Sequence, residues 1–170
     1  MKLNKNLVFL GMMGSGKSSI GSSVSKKLNL PFIDIDSLIV KAAGMNVTEI
    51  FEKKGEDYFR NIEEKITLSA LRKIKNVVSL GGGAFINNKI RKEILTNHLS
   101  FWLNWDESIL IKRIKNSKKR PLAYNSTDVQ IKDMIKKRSK KYRYAKFKIN
   151  CNNLTKTEMV KKIIKIYELN

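Results

Sequence analysis

The segment LVFLGMMGSGKSSIG, residues Leu7 to Gly21, decides the fold. Its four apolar residues, Leu7–Leu10, form the kind of run that is typical of a strand covered on both faces in a parallel sheet. The pattern GxxxxGKS follows at once, from Gly11 to Ser18, and apolar residues spaced by four then indicate a helix. A strand, a glycine-rich loop and a helix in this order predict a phosphate-binding loop, in which backbone N–H groups surround the phosphates of a nucleotide.

Two side chains of this loop have expected roles in nucleotide binding. We expect Lys17 to reach the β- and γ-phosphates and the Ser18 hydroxyl to ligate Mg²⁺. The positive end of the following helix adds to the attraction for phosphate. The loop does not by itself select the reaction, because ATPases, GTPases and small-molecule kinases share it.

Length and composition favour one domain over residues 1–170. The chain has 170 residues, of which 42% are hydrophobic, enough for a globular core. Its apolar runs reach about five residues, whereas a membrane helix needs about 20. The first six residues lead directly into the first predicted strand, so we expect no signal peptide. With Cys151 as the single cysteine, predicted to be buried, we expect a cytoplasmic protein.

The charge is strongly positive and unevenly distributed. The chain has 35 Lys and Arg against 15 Asp and Glu, and the stretch from Lys112 to Lys148 holds fifteen of these cations but only two acids. Two interpretations remain open, a nucleic-acid surface and a compositional bias that leaves a solvated basic face. We favour the second, and note that such a field also attracts a small polyanion such as a nucleotide.

Further strands alternate with helices along the chain. Strands are predicted at Phe32–Ile35, Val77–Leu80, Leu99–Leu103 and around Phe147–Cys151, the last alternating like an edge strand. Helices are predicted at Ser18–Leu28 and Glu56–Lys73, and after the capping box of Thr155 and Glu158. This alternation predicts a parallel α/β sheet with right-handed crossovers.

Several segments and residues carry weaker signals. The stretches Ser37–Gly55 and Asn116–Asp128 lack clear periodicity. We expect His98 on the surface, and we expect Trp102 and Trp105 to cover the end of the fourth strand rather than contact a base.

Two carboxylates mark the end of the second predicted strand, which reads Ile33-Asp34-Ile35-Asp36. Residues two apart in a strand face the same way, so both side chains are predicted to project at the carboxyl edge, where α/β sheets bind ligands. The third strand runs into Gly81-Gly82-Gly83 without ending in the acid that often holds Mg²⁺. We therefore expect one of the two acids near Mg²⁺ and the other near a hydroxyl acceptor.

At this point the chain resembles the shikimate kinase family over about residues 5–168. The resemblance is carried by GMMGSGKS (11–18), Asp34-x-Asp36, Phe59-Arg60-x-x-Glu63, the triple glycine 81–83, Arg120-Pro121-Leu122 and Tyr142-Arg143. It implies an α/β fold, a P-loop nucleoside-monophosphate-kinase-like sandwich whose five-stranded parallel sheet has the order 2-3-1-4-5. It also implies transfer of the ATP γ-phosphoryl group to the 3-hydroxyl of shikimate, with Mg²⁺ as cofactor.

The resemblance implies a set of acceptor-site residues within a segment of about 34–63 and beyond. Asp36 would orient the attacking hydroxyl, and Arg60 and Arg143 would grip the shikimate carboxylate. The remaining substrate-binding residues would be Phe51, Phe59, Gly81, Gly82 and Gly83, with Glu63 steadying Arg60. Arginine suits this role because its planar fork matches a carboxylate.

It also implies a nucleotide site and a lid of about residues 114–127. The nucleotide would be held by Gly14, Ser15, Gly16, Lys17, Ser18, Ser19, Arg113 and Arg120, with Lys17 and Arg120 also catalytic. Ser18 and Asp34 would hold Mg²⁺. At the position of Arg113 the family often has an arginine that stacks on the base. The family also often has a proline beside adenine, but the corresponding loop here reads Asn152-Asn-Leu-Thr-Lys156, which leaves the preference for ATP open.

Rival functions come from the same fold and from another class. A gluconate kinase would not need two arginines and three glycines around one carboxylated ring, and a nucleoside-monophosphate kinase would need base-reading residues that we do not find. A basic nucleic-acid-binding module would have to explain the complete set of transfer motifs. We expect shikimate and ATP as partners of a monomer, with no nucleic-acid or membrane partner.

Overall fold

The computed structural model describes residues 4–116 and 126–170. Along the chain the elements are β1 (Leu7–Leu10), α1 (Lys17–Leu28), β2 (Phe32–Asp34), α2 (Ile35–Ala43), α3 (Val47–Leu71), β3 (Val77–Ser79), α4 (Asn88–Asn97), β4 (Leu99–Asn104), α5 (Glu107–Lys115), α6 (Asp128–Tyr142), β5 (Phe147–Asn150) and α7 (Lys156–Glu168), with a short 3₁₀ helix at Ala84–Ile86.

The strands form one five-stranded sheet in the order β2-β3-β1-β4-β5. Every pairing is parallel, with β1 in the centre between β3 and β4. The predicted strand order and fold class are therefore confirmed. The chain leaves β1 toward β2 and β3 on one side and later returns to β4 on the other. This reversal opens a crevice at the carboxyl end of β1, where the glycine-rich loop begins.

The sheet separates two apolar cores. Residues of β1 alternate between them, with Val8 and Leu10 in one and Leu7 and Phe9 in the other. The first core also holds apolar residues of α2 to α6, and the second holds those of α1 and α7. On the outer strand β5, Ile149 is buried while Lys148 and Asn150 are exposed, which confirms the predicted edge strand with one wet face.

Side-chain caps fix where several helices begin. The predicted capping box is present at α7, where Thr155 and Glu158 bond each other's backbone N–H groups. Asn46 and Glu49 form a second box at the start of α3. Gly55 interrupts α3 with a φ of 82° and a ψ of 171°, so the helix consists of two segments. A positive φ of this kind is accessible to glycine at little cost.

The prediction that Asp36 continues the strand alternation of β2 was wrong. The strand ends at Asp34, and Asp36 lies in the first turn of α2 rather than in a strand. The Asp34 side chain causes the change, because its Oδ1 accepts the Ser37 N–H at 3.1 Å and caps the helix. The stretch 37–55, which lacked periodicity in the sequence, is largely helical within α2 and the first segment of α3.

The predicted burial of Cys151 is confirmed, whereas the predicted exposure of His98 is wrong. Cys151 is fully buried as predicted, and burial raises the pKa of its thiol to about 11. His98, predicted on the surface, is only 5% exposed. It precedes β4 at the amino edge of the sheet, where its Nδ1 accepts the Asn6 N–H at 3.4 Å.

Among residues 4–116 and 126–170, no helix has both the length and the apolar character needed to cross a membrane.

Candidate active site

The glycine-rich loop joins β1 to α1 and encloses the Lys17 ammonium. Gly16 directly precedes α1 with a φ of 88°, which few side-chain-bearing residues adopt. Lys17 is 7% exposed, and its Nζ donates to the carbonyls of Gly11 at 2.9 Å and Met12 at 2.8 Å. A fixed cation thus lies at the positive end of α1, the combination that binds phosphate.

The other predicted loop residues surround this cation. Ser15 is buried, and its Oγ has no hydrogen-bond partner among the described residues. Ser18 and Ser19 are exposed in the first turn of α1. Unpaired hydroxyl and backbone donors at a helix start suit an anionic ligand with several oxygens.

Ser18 and Asp34 come together at the carboxyl edge, as a shared metal site requires. The Ser18 Oγ donates to Asp34 Oδ2 at 2.5 Å and lies 3.3 Å from the Ser79 Oγ. Hydroxyl and carboxylate oxygens are the ligands that Mg²⁺ prefers, so this donor set fits the metal.

A pocket of about 190 Å³ opens beside the loop. Of the predicted substrate-binding residues, six line it: Asp36, Phe51, Phe59, Arg60, Gly82 and Gly83. The rings of Phe51 and Phe59 contact each other with centroids 4.6 Å apart, across the break in α3 at Gly55. The two segments of α3 therefore form one aromatic wall of a pocket sized for a small metabolite.

Arg60 is held in the pocket by two carboxylates of α3. Its Nη1 donates to Glu63 Oε2 at 2.8 Å, and its Nε and Nη2 donate to Glu56 Oε1 at 3.2 and 3.1 Å. Burial alone would lower the pKa of Arg60, but attraction to Glu63 and Glu56 outweighs it and raises the pKa. The guanidinium is therefore charged and fixed in direction. The expected contact with Glu63 is present; the one with Glu56 was not predicted.

Glu63 lies beneath the pocket and is 2% exposed. Burial raises the pKa of Glu63, and the nearby Asp36 carboxylate adds to this, while Arg60 and Arg138 oppose it. The two carboxylates converge over Gly81, where a Cβ would lie 2.7 Å from Glu63 Oε1 and 2.8 Å from Asp36 Oδ1. A side chain at this position would displace both acids.

Gly82 and Gly83 leave space for arginine side chains, because neither has a Cβ. At Gly83 a Cβ would lie 2.5 Å from the Nη1 of Arg60. At Gly82 it would lie 3.2 Å from the Met13 backbone nitrogen and 3.4 Å from the Nη1 of Arg138. The triple glycine therefore lets two guanidinium groups approach one stretch of backbone.

Arg138, rather than the predicted Arg143, is the second arginine of the pocket. Arg143 is exposed at the C-terminal end of α6 and does not line the pocket. Five residues separate the two arginines, which places them about 140° apart around a helix. Tyr142, four residues after Arg138, shares its face, and the Tyr142 hydroxyl donates to the Gly82 carbonyl. This bond turns the Arg138 face of α6 toward the glycines.

Arg113 lies beside the phosphate-binding loop, as expected of a nucleotide-site residue. Its Nη1 donates to the Gly14 carbonyl at 3.3 Å, and its guanidinium carbon lies 3.8 Å from the centroid of the Trp105 ring. Arg120 and residues 117–125 of the predicted lid fall outside the described residues.

Sequence reasoning assigned no role to Trp105 beside the loop or to several residues that line the pocket: Met13, Val47, Thr48, Glu56, Met134 and Arg138. Glu56 had a usable signal, since it stands four residues before Arg60 on a predicted helix. Arg138 had a similar signal, because it stands four residues before Tyr142. Seven other cations in the stretch from Lys136 to Lys148 made that signal hard to distinguish.

Comparisons with known proteins point to one family. The family model described as "Shikimate kinase" matches residues 13–168. A shikimate kinase of Thermodesulfovibrio yellowstonii is 39% identical over 165 residues, which cover 96% of this chain and 95% of that protein. The structure of a shikimate kinase from Acinetobacter baumannii in complex with shikimate superposes with a TM-score of 0.92, at 26% identity, over 99% of this chain and 96% of that one.

The rival small-molecule kinase is more distant. A gluconokinase from Sinorhizobium meliloti aligns over 99% of this chain and 94% of its own with a TM-score of 0.58 and 15% identity, which shows a shared fold alone. Family match, near full-length relatives and close structural agreement lead to one conclusion: this chain belongs to the shikimate kinase family.

Proposed function

We propose that this protein transfers the γ-phosphoryl group of ATP to the 3-hydroxyl of shikimate, giving shikimate 3-phosphate and ADP for the synthesis of chorismate and aromatic amino acids. One observation carries the proposal: a small pocket next to a phosphate-binding loop is lined by the Asp36 carboxylate and by two guanidinium groups, Arg60 and Arg138, while its other two carboxylates, Glu56 and Glu63, bond Arg60. An acceptor that carries both a hydroxyl and a carboxylate matches this charge pattern.

The arginines would bind the acceptor carboxylate from two sides. Arg60 is fixed by Glu56 and Glu63, so its side chain loses little conformational freedom when substrate binds. The bond from Tyr142 to Gly82 turns the face of α6 that carries Arg138 toward the pocket. We assign to Arg138 the role that the sequence suggested for Arg143. Phe51 and Phe59 would contact the apolar face of the ring, and the backbone of Gly82 and Gly83 would form another part of the pocket wall, with Gly81 leaving space for Asp36 and Glu63.

Asp36 would orient the attacking hydroxyl and accept its proton late. Phosphoryl transfer has a loose transition state, so the nucleophile needs alignment with the γ-phosphate more than early deprotonation. Asp36 is suited to this because it lies in the pocket and converges with Glu63 over Gly81.

On the other side of the transfer, the loop residues 14–19 would hold the phosphates of ATP. Lys17 would neutralise the β- and γ-phosphates, and Arg120 would add a second cation from a lid of about 114–127. Ser18 and Asp34 would hold Mg²⁺, which supplies positive charge to the phosphate oxygens when bound. Arg113 would contact the base.

We further propose that the protein is a cytoplasmic monomer that uses neither nucleic acid nor membrane as a partner. The basic stretch between Lys112 and Lys148 would then serve to attract anionic substrates. A gel-shift measured at physiological salt checks this, because nonspecific phosphate contacts weaken steeply with salt.

A coupled assay of ADP release tests the reaction. The purified protein is supplied with MgATP and, in separate reactions, with shikimate, gluconate or nucleoside monophosphates. We expect turnover with shikimate that exceeds the others by orders of magnitude. Faster turnover of gluconate or a nucleotide, or ADP release that ignores the acceptor, would refute the proposal.

A further inference from the structure

Trp105 directly follows β4 and contacts the phosphate-binding loop. Its indole Nε1 donates to the Ser15 carbonyl at 2.9 Å, a bond between residues 90 positions apart in the chain. The ring is half-buried and packs against both apolar cores. The sequence suggested only that this side chain covers the end of a strand; the structure adds a direct link to the loop.

The same indole supports Arg113. The guanidinium carbon lies 3.8 Å from the ring centroid, a close stacking contact that covers one face of the planar cation. The Nη1 donates to the Gly14 carbonyl at 3.3 Å, which fixes the group beside the loop. Arg113 is itself exposed, which leaves part of its side chain accessible to a ligand.

The backbone that carries Trp105 is also held from the other side. The Asp106 N–H donates to Asn152 Oδ1 at 2.8 Å, and the Asn152 Nδ2 donates to Asp106 Oδ1 at 2.7 Å. This reciprocal pair joins the β4–α5 loop to the β5–α7 loop. Trp105 is therefore anchored through both its indole N–H and the next residue, as a rigid support requires.

We propose that Trp105 is a positioning residue for the nucleotide: its indole holds the Arg113 guanidinium flat, as a platform for the base stacking that the family resemblance implies for Arg113. The inference rests on the proposed function in one respect, that a nucleotide occupies the loop. A stacking platform contacts the face of a base and not its hydrogen-bonding edge, so it stabilises adenine and guanine alike. Trp105 thus contributes affinity for the base without selecting between purines.

Calorimetry with three ligands tests the role of Trp105, each in the presence of Mg²⁺ and without acceptor: ATP, GTP and inorganic tripolyphosphate. Tripolyphosphate has the phosphates but no base. We expect Trp105→Leu to weaken ATP and GTP binding by about 3- to 10-fold and to leave tripolyphosphate binding unchanged. Trp105→Phe, which keeps an aromatic face, should retain most of the affinity.

A double-mutant cycle identifies the route of the effect. If Trp105 acts through Arg113, then Trp105→Leu should cause no further loss of ATP affinity in an Arg113→Met background. Fluorescence gives a second readout, since the chain has two tryptophans and Trp105→Phe leaves only Trp102. ATP should change the emission of the wild type more than that of the variant, and tripolyphosphate should not.

Three results would overturn the proposal. Equal losses for ATP and tripolyphosphate in Trp105→Leu would show that the indole acts on the loop through Ser15 alone. Additive losses of ATP affinity in the double-mutant cycle would show that Trp105 does not act through Arg113. Equal affinity of the wild type for ATP and tripolyphosphate would show that the base is not bound. Because no acceptor is present, these outcomes do not depend on whether shikimate is phosphorylated.

Discussion

The two edges of the sheet use polar residues in opposite ways. At the amino edge, Asn6, Asn76 and His98 precede β1, β3 and β4 and bond one another or nearby backbone. At the carboxyl edge, Asp36 and Arg138 face a pocket. Asn6, Asn76 and the Nδ1 of His98 are hydrogen-bonded within the protein, whereas the His98 Nε2 has no hydrogen-bond partner among the described residues. Buried polar groups that are bonded in this way stabilise a fold, whereas polar groups that line an opening can contact a substrate. The comparison separates residues for stability from residues for chemistry within one sheet.

The sharpest test at the carboxyl edge is Asp36→Asn, which keeps the shape of the side chain and removes its charge. We expect kcat to fall by about 10²- to 10⁴-fold, because the hydroxyl loses its proton acceptor and its alignment. Steady-state kinetics with shikimate measures this, and the exposed Asp133→Asn on α6 serves as the matched control. Near-normal turnover in the Asp36 variant would remove Asp36 from the mechanism.

At the amino edge, Asn6→Ala should lower stability and spare catalysis. The Asn6 Nδ2 donates to the Leu71 and Lys73 carbonyls, and its Oδ1 accepts the Asn76 N–H. Leaving these groups unpaired should cost about 2–4 kcal/mol of unfolding free energy. Urea denaturation checks this, with the exposed Asn61→Ala as control. An equal loss in both variants, or a fall in kcat well below the melting temperature, would contradict the division of roles.

A comparison of Arg138→Met with Arg143→Met decides which arginine serves the pocket. The first should raise KM for shikimate by about 10- to 100-fold, the usual cost of a lost hydrogen bond to a charged group. The second should change KM little, because Arg143 is exposed and outside the pocket. If Arg143→Met had the larger effect, the orientation of α6 described above would be wrong.

The smallest expected effect is a pH dependence of stability from His98. Burial lowers the pKa of His98, opposed by Glu93 at 3.7 Å and assisted by Lys5. The native state therefore binds this proton less readily than the unfolded chain, so unfolding free energy should fall as the pH drops below the usual histidine pKa of about 6.5. Denaturation from pH 8 to pH 5 should show a shallower decline in His98→Gln. Identical profiles would assign the decline to other groups.

Sequence reasoning worked where a local pattern has one structural solution. The strand, glycines and lysine of residues 7–18 and the capping box at Thr155 each specify their own geometry. It failed at Asp36, because the alternation IDID is as compatible with a strand as with the start of a helix. The helix starts there because the Asp34 side chain caps it. The helices within 37–55 were not recognised in the sequence, because Gly44 ends α2 and Gly55 interrupts α3, which leaves only short helical segments.

The other misses depend on contacts between distant parts of the chain. Arg138 and Arg143 stand in the same cationic run, and only the bond between Tyr142 and Gly82, 60 residues apart, shows which one faces the pocket. His98 is buried because β1 and its preceding residue Asn6 pack beside it, which no neighbouring residue of His98 reveals. The link between Trp105 and Ser15 is of the same kind.

The triple glycine has a consequence for how this enzyme could change its substrate. The space that a Cβ would take at Gly81, Gly82 and Gly83 is bordered by carboxylate oxygens, by Arg138 and the Met13 backbone, and by Arg60, in that order. A side chain at one of these positions would displace the charged groups of Asp36 and Glu63, of Arg138, or of Arg60. New specificity would therefore have to evolve from α3 or α6, whose side chains can be exchanged one at a time.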